Sequence, residues 1–133
     1  MSTRKNYYVC LRFQGRPDLH LTLSYFKDLS PTEMAEIVDW VRGIVAPPAS
    51  SRFEIEFSLE AWYGPRHTVR ALEPTYNTVW PRWLMELTTH DSRDQTYSWH
   101  PHIATKTDRE LRLTVIAVSL MCKKTEICRW DLT

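Results

Sequence analysis

Glycine is nearly absent from this chain, with three among 133 residues, all scattered. That excludes a glycine-rich phosphate loop, which needs several glycines in one turn so that backbone N–H groups can close on a phosphate. Cysteine is scarce too. Cys10, Cys122 and Cys128 make an odd count with no short pair, so reduced thiols in a cytosol-like compartment are expected and a disulfide framework is not. Combined with His100 and His102 they do not give the short paired spacings of structural zinc. The carboxylate clusters of a two-metal phosphatase are missing as well, and no metal or cofactor is expected. No apolar run approaches the roughly 20 residues of a membrane span. The opening Met1-Ser2-Thr3-Arg4-Lys5-Asn6 lacks the apolar stretch of a secretory signal, so a cytoplasmic protein without a membrane partner is expected. Charge of one sign is lacking also: the formal net charge is +1. Any nucleotide must then be handled in a local pocket and not across a basic face.

What is present suits a single domain spanning 1–133, with 43% hydrophobic and 25% charged residues. Tyr7 to Phe13 reads as a first strand, followed by a Gly15-Arg16-Pro17-Asp18 turn and a Leu19 to Tyr25 strand. Ser30-Pro31-Thr32-Glu33 has the signature of a helix start: a serine cap, proline at the first helical position and glutamate placed to close a capping box. Met34, Ile37, Val38, Val41 and Ile44 recur at helical spacing, and Pro47-Pro48 stops the segment. Phe53, Ile55, Phe57 and Leu59 alternate with polar residues as in a half-buried strand. A Trp62-Tyr63-Gly64-Pro65 turn then leads to a return strand over His67 to Glu73. Asn77 or Thr78 is expected to cap a second helix carrying Trp80, Trp83, Leu84 and Leu87, with Pro81 in its first turn. Asp91 to Tyr97 reads as a polar loop; Pro101 to Lys106, Leu111 to Met121 and Thr125 to Trp130 read as three closing strands. The order strand, histidine strand, helix, strand, strand occurs loosely twice, which predicts a pseudo-symmetric α+β domain.

Two short segments carry the chemistry. His20-Leu21-Thr22-Leu23 and Pro101-His102-Ile103-Ala104-Thr105 each put a histidine at the start of a β-like apolar run. In the first, Thr22 stands two residues on and shares a strand face with His20. Two such strands side by side bring two imidazoles to one small polar pocket. A neutral imidazole can take a proton while a protonated one gives a proton, which is what in-line transfer at phosphorus needs without a metal.

On these residues the chain resembles the two-histidine (2H) phosphoesterases, the superfamily that includes RNA-ligase-type 2′,3′-cyclic phosphodiesterases and small viral 2′,5′- and cyclic-oligonucleotide phosphodiesterases. Its pattern is two copies of His-x-Thr/Ser-x on neighbouring strands of a two-lobed α+β fold with antiparallel sheets flanked by helices. His20-Leu21-Thr22-Leu23 matches the first copy, Trp99-His100-Pro101-His102-Ile103 fits the approach to the second, and Trp62-Tyr63-Gly64-Pro65 resembles the central hairpin. The resemblance implies a metal-independent phosphodiesterase with His20 and His102 as acid and base. Its substrate would be a small cyclic or 2′-5′/3′-5′ nucleotide or oligonucleotide, and Thr22 would hold the non-bridging oxygens. It also implies, for a viral source, action on host second messengers in the host cytoplasm. One departure stands out. The residue two after His102 is Ala104, and the hydroxyl comes one place late at Thr105. A regular strand turns Thr105 away from His102, whereas a β-bulge would return it to the site.

Blander readings accompany each residue. A lone strand histidine is more often structural than catalytic, and His20 and His102 rise above that only as a pair. His100 could share the face of His102 as an alternative proton carrier, while His67 and His90 read as surface or hairpin residues. Most of the six tryptophans and six tyrosines belong in a core. Tyr25, Tyr63 and Trp99 are placed to stack a base, and Arg66 reads as a solvated arginine near the hairpin. Two other functions fit the sequence: a nucleotide- or RNA-binding module that lost turnover, suggested by Ala104, and a purely structural interaction domain.

Overall fold

Apolar residues at every second position build the central strands, and an aliphatic helix face covers them. The structure is a computed structural model and describes residues 3–45, 51–88 and 99–133. Strands β1 (Lys5–Phe13) and β2 (Arg16–Leu29) form an antiparallel hairpin. Gly15 takes the left-handed conformation (φ 70°) that a two-residue turn needs. The turn is therefore tighter than the sequence suggests, and Pro17 and Asp18 lie inside the strand. Helix α1 (Pro31–Ile44) follows directly. Ser30 Oγ accepts from the Glu33 N–H at 3.2 Å, and the Ser30 N–H donates to Glu33 Oε1 at 3.0 Å, so both arms of the capping box are made.

Strand β3 (Phe53–Tyr63), a 3₁₀ turn over Pro65–His67 and strand β4 (Val69–Pro74) form a second hairpin. Helix α2 (Arg82–Leu87) begins later than the sequence suggests, with Pro81 as its cap residue and not in its first turn. The reason is local: Thr78 Oγ1 donates back to the Thr75 carbonyl at 2.7 Å, closing a turn with the hydroxyl that would have capped a helix. Strand β5 is reduced to Ile103–Ala104. Strands β6 (Leu111–Cys122) and β7 (Thr125–Asp131) complete the chain. The expected loop over Asp91 to Tyr97, and His90, lie outside the described residues.

Strand β6 unites the two halves. Its C-terminal part pairs with β1 and β7, and its N-terminal part with β3. One seven-stranded antiparallel sheet results, in the order β2-β1-β6-β3-β4-β5 with β7 also on β6. One face carries Val9, Leu11, Leu19, Leu21 and Leu23, joined in the core by Val41 of α1, by Val45 at its C-cap and by Leu84 and Leu87 of α2. Each of these fully buried aliphatic side chains contributes about 1.5–3 kcal/mol by leaving water. The other face of β1 and β2 is left for polar groups. Among the described residues no helix is long and apolar enough to cross a membrane.

Candidate active site

Register decides what the polar face holds. Across β1 and β2, His20 stands opposite Arg12, Thr22 opposite Cys10 and Tyr25 opposite Tyr8, and directly opposed residues share a face. Between Thr22 and Tyr25 the pairing slips: Cys10 faces Thr22 but Val9 faces Ser24, which leaves Leu23 as an extra residue. Strict alternation would have put Tyr25 on the core face with Leu21 and Leu23. The bulge brings Tyr25 to the same face as His20 and Thr22, while Leu23 and Ser24 are both buried. The Ser24 hydroxyl has no hydrogen-bond partner among the described residues.

His20 is half-buried beside the Tyr8 ring, at a centroid distance of 5.3 Å. Its pKa lies below the ordinary histidine value, first because burial disfavours the charged form and then because the Arg12 and His102 charges repel a proton. Strand β2, which carries His20, packs against β5, the strand that His102 leads into. Burial likewise pushes the Cys10 thiol up to about 12, so that sulfur stays a neutral part of the floor.

His102 is approached by the short β5. Ala104 opposes Ala71 and Ile103 opposes Leu72 on β4, which puts His102 and Ala104 on one face and Thr105 on the other. The His102 ring stacks on Tyr63, with centroids 3.9 Å apart and planes 13° apart. The Tyr63 hydroxyl donates to Glu73 Oε2. Burial and the Glu73 carboxylate raise the Tyr63 pKa, so the phenol stays a protonated donor. His102 Nδ1 lies 2.7 Å from the His100 carbonyl. A carbonyl only accepts, so Nδ1 carries hydrogen and Nε2 is left to exchange a proton with a ligand.

The two histidine strands are joined at both ends without forming a ladder. Trp99 Nε1–H donates to the Thr22 carbonyl at 2.9 Å, and its ring packs edge-on against Trp80 at 5.1 Å. At the other end Arg16 bonds Asp18 at 3.0 Å and reaches Asp108, beyond β5, at 3.4 Å.

The sequence-selected residues therefore separate into groups. His20, Thr22 and Tyr25 share one face of β2, and the His102 ring is packed on Tyr63. Trp99 spends its N–H on the backbone of Thr22. Thr105 is buried on the face away from His102, and its hydroxyl donates to Asp108 Oδ2 at 2.6 Å. His100 is exposed and contributes its carbonyl, and Arg66 and His67 sit exposed in the 3₁₀ turn. Sequence reasoning missed Tyr8, Arg12 and Glu73. A signal existed for the first two, because Tyr8, Cys10 and Arg12 alternate with core residues along β1 and must face whatever β2 presents. Among the described residues no three His, Cys, Asp or Glu side chains gather as a metal-ligand group.

This α+β fold, an antiparallel sheet whose end strands β2 and β5 lie in contact, recurs in solved structures. The solved structures that share it include LigT of E. coli bound to 3′-AMP, with a TM-score of 0.64 at 16% identity over 98% of this chain and 99% of that one. A crystal structure described as a phosphoesterase matches with a TM-score of 0.64 at 16% identity, over 97% of this chain and 99% of that one. A protein of Thermus thermophilus matches with a TM-score of 0.60 at 13% identity, over 96% of this chain and 97% of that one. LigT has also been solved with NADP+ and with ATP. No protein-family model matches the chain, and no curated protein sequence matches it.

Proposed function

We propose that the chain is a metal-independent phosphodiesterase acting on small nucleotides through His20 and His102. The observation that carries this reading is the pair itself: a half-buried His20 on a strand that packs against the one His102 leads into, and a His102 whose Nδ1–H is tied to a carbonyl. Two such groups suit an in-line displacement. His20, held neutral by burial, Arg12 and His102, is the base. For a 2′,3′-cyclic phosphate it takes a proton from water as the water oxygen bonds to phosphorus. The bond from phosphorus to one ribose oxygen breaks, and His102 Nε2 gives that oxygen its proton. For a linear linkage the neighbouring ribose hydroxyl attacks in place of water, leaving a cyclic phosphate and a free 5′-hydroxyl. The Thr22 hydroxyl and the Arg12 guanidinium lie on the same face as His20 and suit the charge that gathers on the non-bridging oxygens. The nucleotides bound by LigT support a small nucleotide as the ligand class.

The test is a hydrolysis screen over 2′,3′-cyclic nucleotides, 2′-5′ oligoadenylates and cyclic di- and trinucleotides, with chelator present. At least one should turn over, and His20→Ala and His102→Ala should each lower kcat by about 10²–10⁴-fold while unfolding stays cooperative. Loss of activity with chelator and rescue by a divalent ion would overturn the mechanism. A second reading, binding without turnover, is favoured by Ala104. It predicts that a nucleotide binds and none of the panel is cleaved.

A further inference from the structure

We propose that a second anion-binding subsite adjoins the histidine pair, formed by Lys5, Lys123, Tyr8 and Tyr25. It takes a phosphate borne by the nucleotide next to the reacting linkage. The proposal rests on the phosphodiesterase reading of the pair and narrows its substrate to oligonucleotides carrying a phosphate besides the scissile one.

A cavity of about 620 Å³ opens beside these four residues. Its wall includes Asn6 and Thr125 and no carboxylate. Arg4 at its rim is engaged by the Asp28 carbonyl and Glu33. Lys5 and Lys123 are exposed, and neither ammonium has a carboxylate partner among the described residues. The cavity shares a wall with the histidine pair, because the Tyr8 ring that lines it is the ring at 5.3 Å from His20. Tyr8 stands two residues along β1 from Cys10, which faces Thr22. That is about 7 Å at the ordinary strand rise, a distance one nucleotide step can bridge.

Two features hold this arrangement. The bulge at Leu23 is what turns Tyr25 from the core face to this one, and bulges re-aim side chains beside functional sites. The Tyr8 hydroxyl donates to the Lys123 carbonyl at 2.6 Å, fixing a turn in which Lys123 takes a left-handed conformation (φ 55°). The other end of the cleft differs. A cavity of about 610 Å³ there is lined by Trp62, Arg16, Arg70 and Lys106. Arg16 is neutralised by Asp18 and Asp108 and Arg70 by Glu60, and the Asp18 and Asp108 carboxylates line this cavity beside Lys106, whereas no carboxylate lines the one at Lys5 and Lys123. A substrate with one extra phosphate is therefore directed toward Lys5 and Lys123.

The experiment compares ApA, pApA and ApAp by calorimetry on the His20→Ala protein, and by kcat/KM on the intact chain, each with and without Lys5→Gln/Lys123→Gln. One phosphorylated dinucleotide should bind about tenfold tighter than ApA, the gain of a charge-assisted contact at a partly exposed site. The lysine changes should remove that preference in both assays. His20→Asn repeats the binding measurement if His20→Ala does not fold. Equal affinity for all three ligands, or a preference that survives the lysine changes, overturns the subsite even if the intact chain cleaves ApA. A lysine-dependent preference in a chain that cleaves nothing supports the subsite and removes the phosphodiesterase reading.

Discussion

Supplying the hydroxyl that the second histidine strand lacks should raise activity. Ala104 is exposed and opposes Ala71, and the Thr105 N–H still bonds the Arg70 carbonyl at 3.2 Å. Pairing is thus regular for one residue past β5, and Ala104 keeps the face of His102. In Ala104→Thr the new hydroxyl would reach the same pocket as Thr22. A hydrogen bond to a charged acceptor contributes about 1.5–3 kcal/mol, and fixing the side chain takes back about 0.5–1 kcal/mol. A net of about 1–2 kcal/mol predicts a rise in kcat/KM of about five- to thirtyfold. Thr105→Ala should behave differently. The Thr105 hydroxyl is the chief cause that holds Asp108 below the usual carboxylate range, so its loss should raise the Asp108 pKa and lower the urea midpoint. The change in kcat/KM should stay within about threefold, because no group that meets the phosphate is removed. Initial rates on the best substrate of the screen, urea denaturation and NMR titration of Asp108 read the three effects. A silent Ala104→Thr beside a Thr105→Ala that is dead yet stable would refute the reasoning, since it would put Thr105 in the pocket.

Arg12→Met removes the second cause of the low His20 pKa, the first being burial. The acid limb of the kcat/KM–pH profile should move to higher pH, and an unmoved limb would show that Arg12 does not face the working imidazole. Because folding lowers the pKa of His20, the native state binds fewer protons than the unfolded chain once pH falls below about 6.5. The penalty is absent above that pH and grows below it, so His20→Gln should flatten the acid loss of stability in urea titrations. Tyr63→Leu, which removes the ring stacked on His102, should lower kcat about tenfold with little change in KM, as expected of a residue that positions a catalytic group. Tyr63→Phe keeps the stack and should stay close to wild type; equal losses in both variants would assign the effect to the Glu73 hydrogen bond. Ser30→Ala breaks the capping box and should cost about 1 kcal/mol of stability, leaving kcat/KM unchanged in the same preparation.

Features governed by neighbours in sequence were legible. The capping box at Ser30 and Glu33 is a three-residue relation, and it forms as read. The alternation of Phe53, Ile55, Phe57 and Leu59 is local too, and its strand stands. Where a side chain had a closer partner than the one assumed, the reading slipped. Thr78 bonds back to Thr75 and so does not cap α2, and the strand read over Pro101 to Lys106 is held to Ile103–Ala104, next to where Thr105 bonds Asp108.

His20 and Thr22 belong to the legible set, because the face they share needs only the period of a strand. Their surroundings do not. Arg12 meets His20, and Tyr8 meets Tyr25, only through the register of β1 against β2, and that register contains an extra residue at Leu23 that no turn or proline announces. A slip of one residue exchanges the faces of a strand. Without the bulge Tyr25 would join the core and leave the cavity that Lys5 and Lys123 border. The face that His20 shares with Thr22 thus follows from local pattern, whereas the groups that surround it follow from pairing between strands. Substitutions that shift register near Leu23 should therefore alter substrate choice before they alter the chemistry of His20 and His102.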